Sequence, residues 1–408
     1  MEPPLSGIRV LDLGRIVTGP LCSFFLASLG AEVIRIDPPG GSIDWRFPPF
    51  AGPGGMHGGP RGERDLSLVA LRRGRGKKSI TLALDREQGR EVFRRLVAAS
   101  DVLVENFRPG VMEALGLGYP ALSALHPGLV YCAISAFGQD GPYRDRAGMD
   151  LVVQAMSGLM AKTGFPDGPP TKVGVTIGDQ VPAILAVAGI LAALRQRDRD
   201  GAGQLVDVSM MDALVSMVWD EPVDLYRRRG MPERSGNVDP RGVPINTYRT
   251  RDGWMTMVLA SDAQWPRLCA LIGRPEWGDD PEFAQGLRVA HAREIDDAIE
   301  RWTSARSTDE AEALCVAEGL PVGAVRPPWS ATDDPQVAAR RMLEPLRHPD
   351  PGAPPTGFLG ARLPIVLSET PLETAPAEPL GASTERVLAA VAGLPPAEIA
   401  RLREQGVI

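Results

Sequence analysis

This chain is poor in the residues on which most catalytic and metal-binding machinery depends. Its four cysteines, Cys22, Cys132, Cys269 and Cys315, lie far apart in 408 residues and form no CxxC pair. Neither a metal site nor a disulfide framework is indicated, and the four read as buried thiols in a reducing compartment. Four histidines, His57, His126, His291 and His348, each stand alone among Gly, Pro or charged residues. Surface or loop positions are expected for them, and no histidine-based chemistry. The patterns G-x-S-x-G, G-x-x-x-x-G-K-S/T and H-E-x-x-H are missing, which removes the hydrolase, P-loop and zincin signals. Positive charge is not in excess: the net charge is -7 and the pI near 5.4, which excludes nucleic acid as the main partner. The start, Met1-Glu2-Pro3-Pro4, lacks a basic and then apolar leader, and the longest uncharged run reads as too short and too broken by Pro and Gly to span a bilayer. A cytoplasmic protein without a membrane partner is expected.

What is present is ordinary for a folded enzyme, with 44% apolar and 23% charged residues. The length exceeds what one core usually supports, so two domains are expected. Ile8–Leu13 and Glu32–Ile36 read as strands on either side of an apolar helix, Leu21–Leu29, which makes a βαβ unit and a parallel sheet. The first loop, Gly14-Arg15-Ile16-Val17-Thr18-Gly19, departs from G-x-G-x-x-G, so NAD is not indicated. Asp37 suits a ribose hydroxyl and equally a turn before proline. Residues 42–65 read as a long irregular loop. The basic cluster Arg72, Arg73, Arg75, Lys77 and Lys78 reads as a solvated loop or a phosphate clamp. Asn106-Phe107-Arg108-Pro109-Gly110 falls at the C-terminal end of strand 101–105, where open α/β sheets bind ligands. A second domain opens near Gly236 with a hairpin across Arg251-Asp252-Gly253. Pro- and Gly-rich sequence from His348 marks the return, so the expected division is 1–235, 236–345 and 346–408, the last segment completing the first domain.

One carboxylate is conspicuous. Asp179, in Thr176-Ile177-Gly178-Asp179-Gln180, is the only charged residue between Lys172 and Arg195, and it stands where an apolar helix begins. It reads either as an N-cap, accepting the first free amides with Pro182 in the first turn, or as a nucleophile beside a glycine that permits close approach of a substrate.

Three stretches together resemble the type III CoA-transferases, the group of formyl-CoA transferase and carnitine CoA-transferase. They are Leu5–Leu13 with Gly19-Pro20, Asp101–Gly110, and Gly178-Asp179 with its helix, and the similarity extends over essentially the whole chain. The resemblance implies an α/β fold with a large Rossmann-like domain, a smaller α/β domain and an interlocked homodimer. It implies CoA transfer from an acyl-CoA donor to a free carboxylic acid, with coenzyme A as substrate, no tightly bound cofactor and no metal. Asp179 matches the nucleophile, forming a mixed anhydride and then an aspartyl-CoA thioester. Its ordinary carboxylate pKa, near 4, leaves it ionised at neutral pH, and amides at a helix N-terminus suit the developing oxyanions. Val17 and Thr18 match positions lining CoA, and Leu82 falls near the adenine pocket. Asn106, Phe107 and Arg108 match the strand-end segment that holds CoA, and Gly148, Met149 and Asp150 a further CoA-facing segment. Pro38 and Ala114 stand where formyl-CoA transferase has arginines, Val17 replaces its glutamine, and its glycine-rich lid is missing.

Two other readings share the fold. An α-methylacyl-CoA racemase needs an acid/base pair across the α-carbon, and Met149 stands where its histidine would be. A non-catalytic CoA-binding protein fits the lost arginines but not the retained Gly178-Asp179.

Overall fold

The computed structural model describes residues 2–60, 62, 65–259, 261–350 and 352–408. The chain divides into two compact units. Met1–Leu159, Lys172–Glu221 and Pro335–Ile408 form the first, Met160–Thr171 and Pro222–Asp334 the second.

Among the described residues the first unit includes the strands β1 (Arg9–Asp12), β2 (Glu32–Asp37), β3 (Phe50–Gly52), β4 (Gly55–His57), β5 (Leu66–Ser67), β6 (Lys77–Thr81), β7 (Val102–Glu105), β8 (Val130–Ser135) and β9 (Leu205–Ser209), with a further antiparallel pair, Leu343–Pro345 and Leu359–Ala361, in its C-terminal segment. Six of them form one sheet in the order β6-β2-β1-β7-β8-β9, all pairs parallel. Helices cover both faces, so the strands read as continuous apolar runs rather than alternating ones; every residue of β7 and β8 is buried. Successive side chains point to opposite faces. Leu11 and Ile34 enter one core with Phe93, Leu96 and the C-terminal Leu388 and Leu402. Val10 and Val33 enter the other with Leu26, Ala183 and Ile190. The chain starts at β1, moves outward to β2 and β6, then returns to β7 on β1's other side. This reversal opens a crevice beyond the C-terminal ends of β1 and β7.

Several local expectations are corrected. Residues 42–65 are not simply irregular: β3 and β4 pair there, and β5, just beyond, adds to β3 to make a small antiparallel sheet. His57 is buried within it, 3.7 Å from Asp65, rather than on the surface. The basic cluster is not a solvated loop. Lys77 is buried and donates to Asp12 Oδ2 at 2.8 Å, Ser23 Oγ at 2.7 Å and the Pro20 carbonyl at 2.8 Å. Arg75 is also buried and ion-paired with Glu344. Asp37 accepts from Arg35 and from the Trp45 indole, so its buried carboxylate serves this internal network rather than a ribose.

The uncharged run after Asp179 ends at Leu194, but it is not broken at its Pro or Gly, and the helix that contains it is longer than the run. The helix Ile177–Asp200 continues through Pro182 and Gly189 for 24 residues, and by length and composition it is long and apolar enough to cross a membrane. Pro182, the sixth residue of that helix, offers no N–H to the Gly178 carbonyl, yet the helix continues past it. Ala183, Ala186, Ile190 and Leu194 pack into the core, whereas Ile184 and Leu185 are exposed.

The second unit holds an antiparallel sheet of β10 (Ile245–Arg249), β11 (Trp254–Val258) and β12 (Val322–Ala324). The hairpin closes at Arg249 opposite Trp254. Met255 and Met257, alternating along β11, are buried with Trp265, Ile299 and Trp302 of the covering helices.

Candidate active site

The loop after β1 is fixed from four sides. Gly14 donates to Asp12 Oδ1 at 2.8 Å. Asn106, just beyond β7, clasps the Arg15 peptide at both ends: its Oδ1 accepts from Arg15 N at 2.8 Å and its Nδ2 donates to Arg15 O at 3.0 Å. Ile16 donates its amide to Asp44 Oδ1 at 2.8 Å, and its carbonyl accepts from Arg73. These contacts hold Ile16 at φ 66°, a left-handed conformation costly for a β-branched residue. Gly14 and Gly19 pack backbone to backbone: a Cβ on either would lie 2.7 Å from the other. The helix Thr18–Ser28 starts directly after this loop, so Thr18 is delivered to the crevice in one orientation.

Thr18 Oγ1 donates to Asp179 Oδ1 at 3.2 Å. Asp179 is the third residue of the Ile177–Asp200 helix, and no side chain of the N-cap residue, Thr176, caps that helix. The capping reading of Asp179 is therefore corrected. The acid that bonds the first turn is Asp150, from the helix Asp150–Met156, whose Oδ1 accepts the Gly178 amide at 2.8 Å. The neighbouring amides are also occupied: Ile177 donates to Val175 O at 2.9 Å, and Asp179 and Gln180 each to Thr176 O at 3.1 Å. The first turn thus offers an incoming oxyanion its dipole field but none of these amides. Gly178 lets the Asp150–Met156 helix pack closely on this turn, because a Cβ there would meet Val153 Cγ2 at 2.8 Å and Asp150 Oδ1 at 2.9 Å.

Asp179 lines a cavity of about 450 Å³. Of the residues singled out in the sequence, Val17, Thr18, Asn106, Phe107 and Arg108 line it from the ends of β1 and β7. Gly148, Met149 and Asp150 line it from the segment leading into the Asp150–Met156 helix. Leu82 does not; it is buried in the core beyond the end of β6. Sequence reasoning missed Ile16, Arg144 and Arg146, which also line the cavity. It also missed Gln154, four residues after Asp150, which spacing on a helix face would have flagged as an Asp150 partner.

Burial, and then the nearby Asp150 carboxylate, push the Asp179 carboxyl up to about 6, against the opposing pull of the Thr18 hydrogen bond and of Arg73. Its proton affinity is therefore not ordinary, although it is ionised at neutral pH. Asp179 enters no ion pair among the described residues, so its charge is available to a substrate. Arg108, Arg144 and Arg146 bring positive charge to the same cavity, which suits phosphates or carboxylates.

The comparisons with known proteins agree with this picture. Residues 5–384 match the model of CoA-transferase family III. The succinyl-CoA–D-citramalate CoA-transferase of Chloroflexus aurantiacus is 39% identical over 355 residues, spanning 86% of this chain and 85% of that one. The succinate–glutarate CoA-transferase of Agrobacterium fabrum is 36% identical over 95% of this chain and 96% of that one. The crystal structure of a CAIB/BAIF family protein from Brucella suis superposes with a TM-score of 0.80 at 33% identity, covering 96% of this chain and all of that one. The chain belongs to CoA-transferase family III. Its activity is transfer of CoA between an acyl-CoA and a carboxylic acid.

Proposed function

We propose that Asp179 is the nucleophile of this transfer. The observation that carries the reading is its place: an acid with raised proton affinity and no ion pair among the described residues, in a cavity where Thr18 bonds one of its oxygens. Asp179 attacks the donor acyl carbonyl, the C–S bond breaks, and CoA leaves as thiolate with a mixed anhydride in place. The thiolate then attacks the aspartyl carbonyl, forming the Asp179–CoA thioester and releasing the donor acid with one oxygen taken from Asp179. The acceptor carboxylate attacks this thioester and displaces the thiolate. Attack of the thiolate on the acceptor acyl carbon gives the new acyl-CoA and returns Asp179 carrying one acceptor oxygen. Splitting the exchange this way replaces one difficult step by easier ones. Thr18 holds one reacting oxygen, so the other faces the substrate in a set direction.

The remaining site assignments follow the same reading. Val17, Asn106, Phe107, Arg108, Gly148, Met149 and Asp150 contact CoA, and Leu82 lies toward its adenine. The absence of histidine from the cavity lining among the described residues supports a transferase over a racemase, since Met149 offers no proton.

The exposed apolar residues Ile184 and Leu185 of the long helix, with Met217 and Trp219 at the end of the Met210–Val218 helix that packs against it, support a homodimer in which a second copy covers them rather than a lipid. Light scattering of the purified protein checks this, a monomer being the contrary outcome. The nucleophile assignment is checked by Asp179→Asn, which is expected to reduce CoA exchange by roughly 10⁴-fold or more; exchange at the wild-type rate would overturn it.

A further inference from the structure

Gln154 is wholly buried one turn beyond Asp150 and touches none of the reacting groups. Its Nε2 lies 3.0 Å from each oxygen of Asp150, and its Oε1 accepts the Val173 amide at 3.0 Å. The two ends of the amide are chemically distinct, and each meets a partner that only it satisfies: a carboxylate needs the donor and a backbone N–H needs the acceptor. The side chain therefore fits in one orientation.

Val173 lies just before the Ile177–Asp200 helix, in the segment that leads into it. Asp150, which Gln154 holds, bonds the Gly178 amide. Gln154 thus fastens the chain on both sides of residues 174–177, once directly at Val173 and once through Asp150 at Gly178. Asp179 follows immediately after the second anchor, and Thr18 donates to its carboxylate. No other side chain among the described residues joins the two anchors.

We infer that Gln154 is a positioning residue for the transfer reaction, holding the first turn of the Ile177–Asp200 helix at the depth where the Asp179 carboxylate meets both Thr18 and the thioester carbon. The inference rests on Asp179 being the nucleophile. Loss of the amide frees Asp150 from one side and the Val173 segment from the other. The carboxylate then shifts against a bound substrate whose CoA contacts at the ends of β1 and β7, Val17, Asn106, Phe107 and Arg108, are untouched, Asp150 alone being released by the substitution. Displacement on the order of an ångström costs about 100-fold in rate, without loosening a ligand held elsewhere.

The experiment compares wild type, Gln154→Ala and Gln154→Glu in a rapid-mixing assay for the hydroxylamine-sensitive adduct on Asp179, over a series of acyl-CoA concentrations. Gln154→Glu keeps the acceptor toward Val173 but loses the donor toward Asp150, so it separates the two anchors. For Gln154→Ala the expected result is adduct formation slowed by about 10- to 100-fold, with half-saturation for acyl-CoA within about twofold of wild type. Gln154→Glu is expected to be slowed too, because it leaves the Gly178 anchor unsupported. Adduct forming in both variants at the wild-type rate overturns the inference. So does a slowing matched by an equal loss of folded protein in a parallel melting curve, which marks a merely structural residue. Wild type forming no adduct on Asp179 overturns the nucleophile reading instead, and the two failures are thereby distinguishable.

Discussion

The Asp150 carboxylate accepts the Gly178 amide at 2.8 Å, so the helix that carries Asp179 is capped by an acid from another helix. A cap normally comes from the residue at the helix start. Here that task is passed on, and the acid inside the first turn is left free for chemistry. The capping acid also adds negative charge beside Asp179 and contributes to its raised proton affinity.

Acidification is expected to remove activity through this group. In the proposed mechanism Asp179 must be ionised to attack, so kcat is expected to fall as pH drops through about 6. Asp150→Asn keeps an acceptor for Gly178 but removes the charge, so the midpoint of the kcat–pH profile moves below that of wild type. A midpoint unchanged by Asp150→Asn would contradict a contribution of the Asp150 charge to the raised proton affinity of Asp179.

The same raised affinity has a cost in stability. A group whose folded pKa lies above its unfolded value contributes stability at low pH that is lost as pH rises through the folded pKa. For Asp179 that window runs from the ordinary carboxylate range, near 4, to about 6. At about pH 8 the ionised side chain therefore weakens the fold, by on the order of 1–2 kcal/mol after allowance for its partial exposure. Asp179→Asn is expected to melt higher than wild type at about pH 8, with the difference vanishing near pH 4.

Thr18→Val tests the partner hydroxyl. Its loss removes a hydrogen bond to a charged oxygen, worth about 1.5 kcal/mol or more, and so roughly 10-fold in rate. Because that bond lowers Asp179's proton affinity, the variant's pH midpoint should move upward, opposite to Asp150→Asn. Steady-state kinetics over pH distinguishes the two.

Much of this was legible in the sequence, and what was not has physical reasons. The apolar runs of β1, β2, β7 and β8 announce a parallel sheet because both faces of each strand are buried. The isolation of Asp179 in an uncharged stretch marks it as a residue with a task. Its partners were hidden, because Thr18 lies 161 residues away and only folding brings the two together. The basic run 72–78 misled for a related reason: Lys77 is reached by Asp12 and Ser23, distant residues that satisfy its charge in the interior. The strand pairs in 50–67 are two or three residues long, too short for any periodicity to register.

Lys77→Met is expected to be severely destabilising, since it leaves the buried Asp12 carboxylate without its cation. Breaking one side of such a pair costs about 3–5 kcal/mol, measurable by urea unfolding. Lys77→Met combined with Asp12→Asn should recover part of the loss, because the uncompensated charge is then gone.

Gly178→Ala places a methyl group 2.8 Å from Val153 Cγ2 and 2.9 Å from Asp150 Oδ1. Overpacking of this kind costs about 1–3 kcal/mol. Because the shift falls on the turn that bears Asp179, kcat should fall more than the melting temperature alone implies.

In the proposed mechanism Asp179 takes an oxygen from the acceptor acid in each turnover. The most direct test supplies an acceptor carboxylate labelled with heavy oxygen, allows turnover with an unlabelled acyl-CoA, and reads the peptide containing Asp179 by mass spectrometry. Covalent catalysis by Asp179 predicts that this peptide gains the label on Asp179. Rapid CoA exchange with no label on Asp179 would contradict it and point to direct attack of the acceptor on the donor thioester.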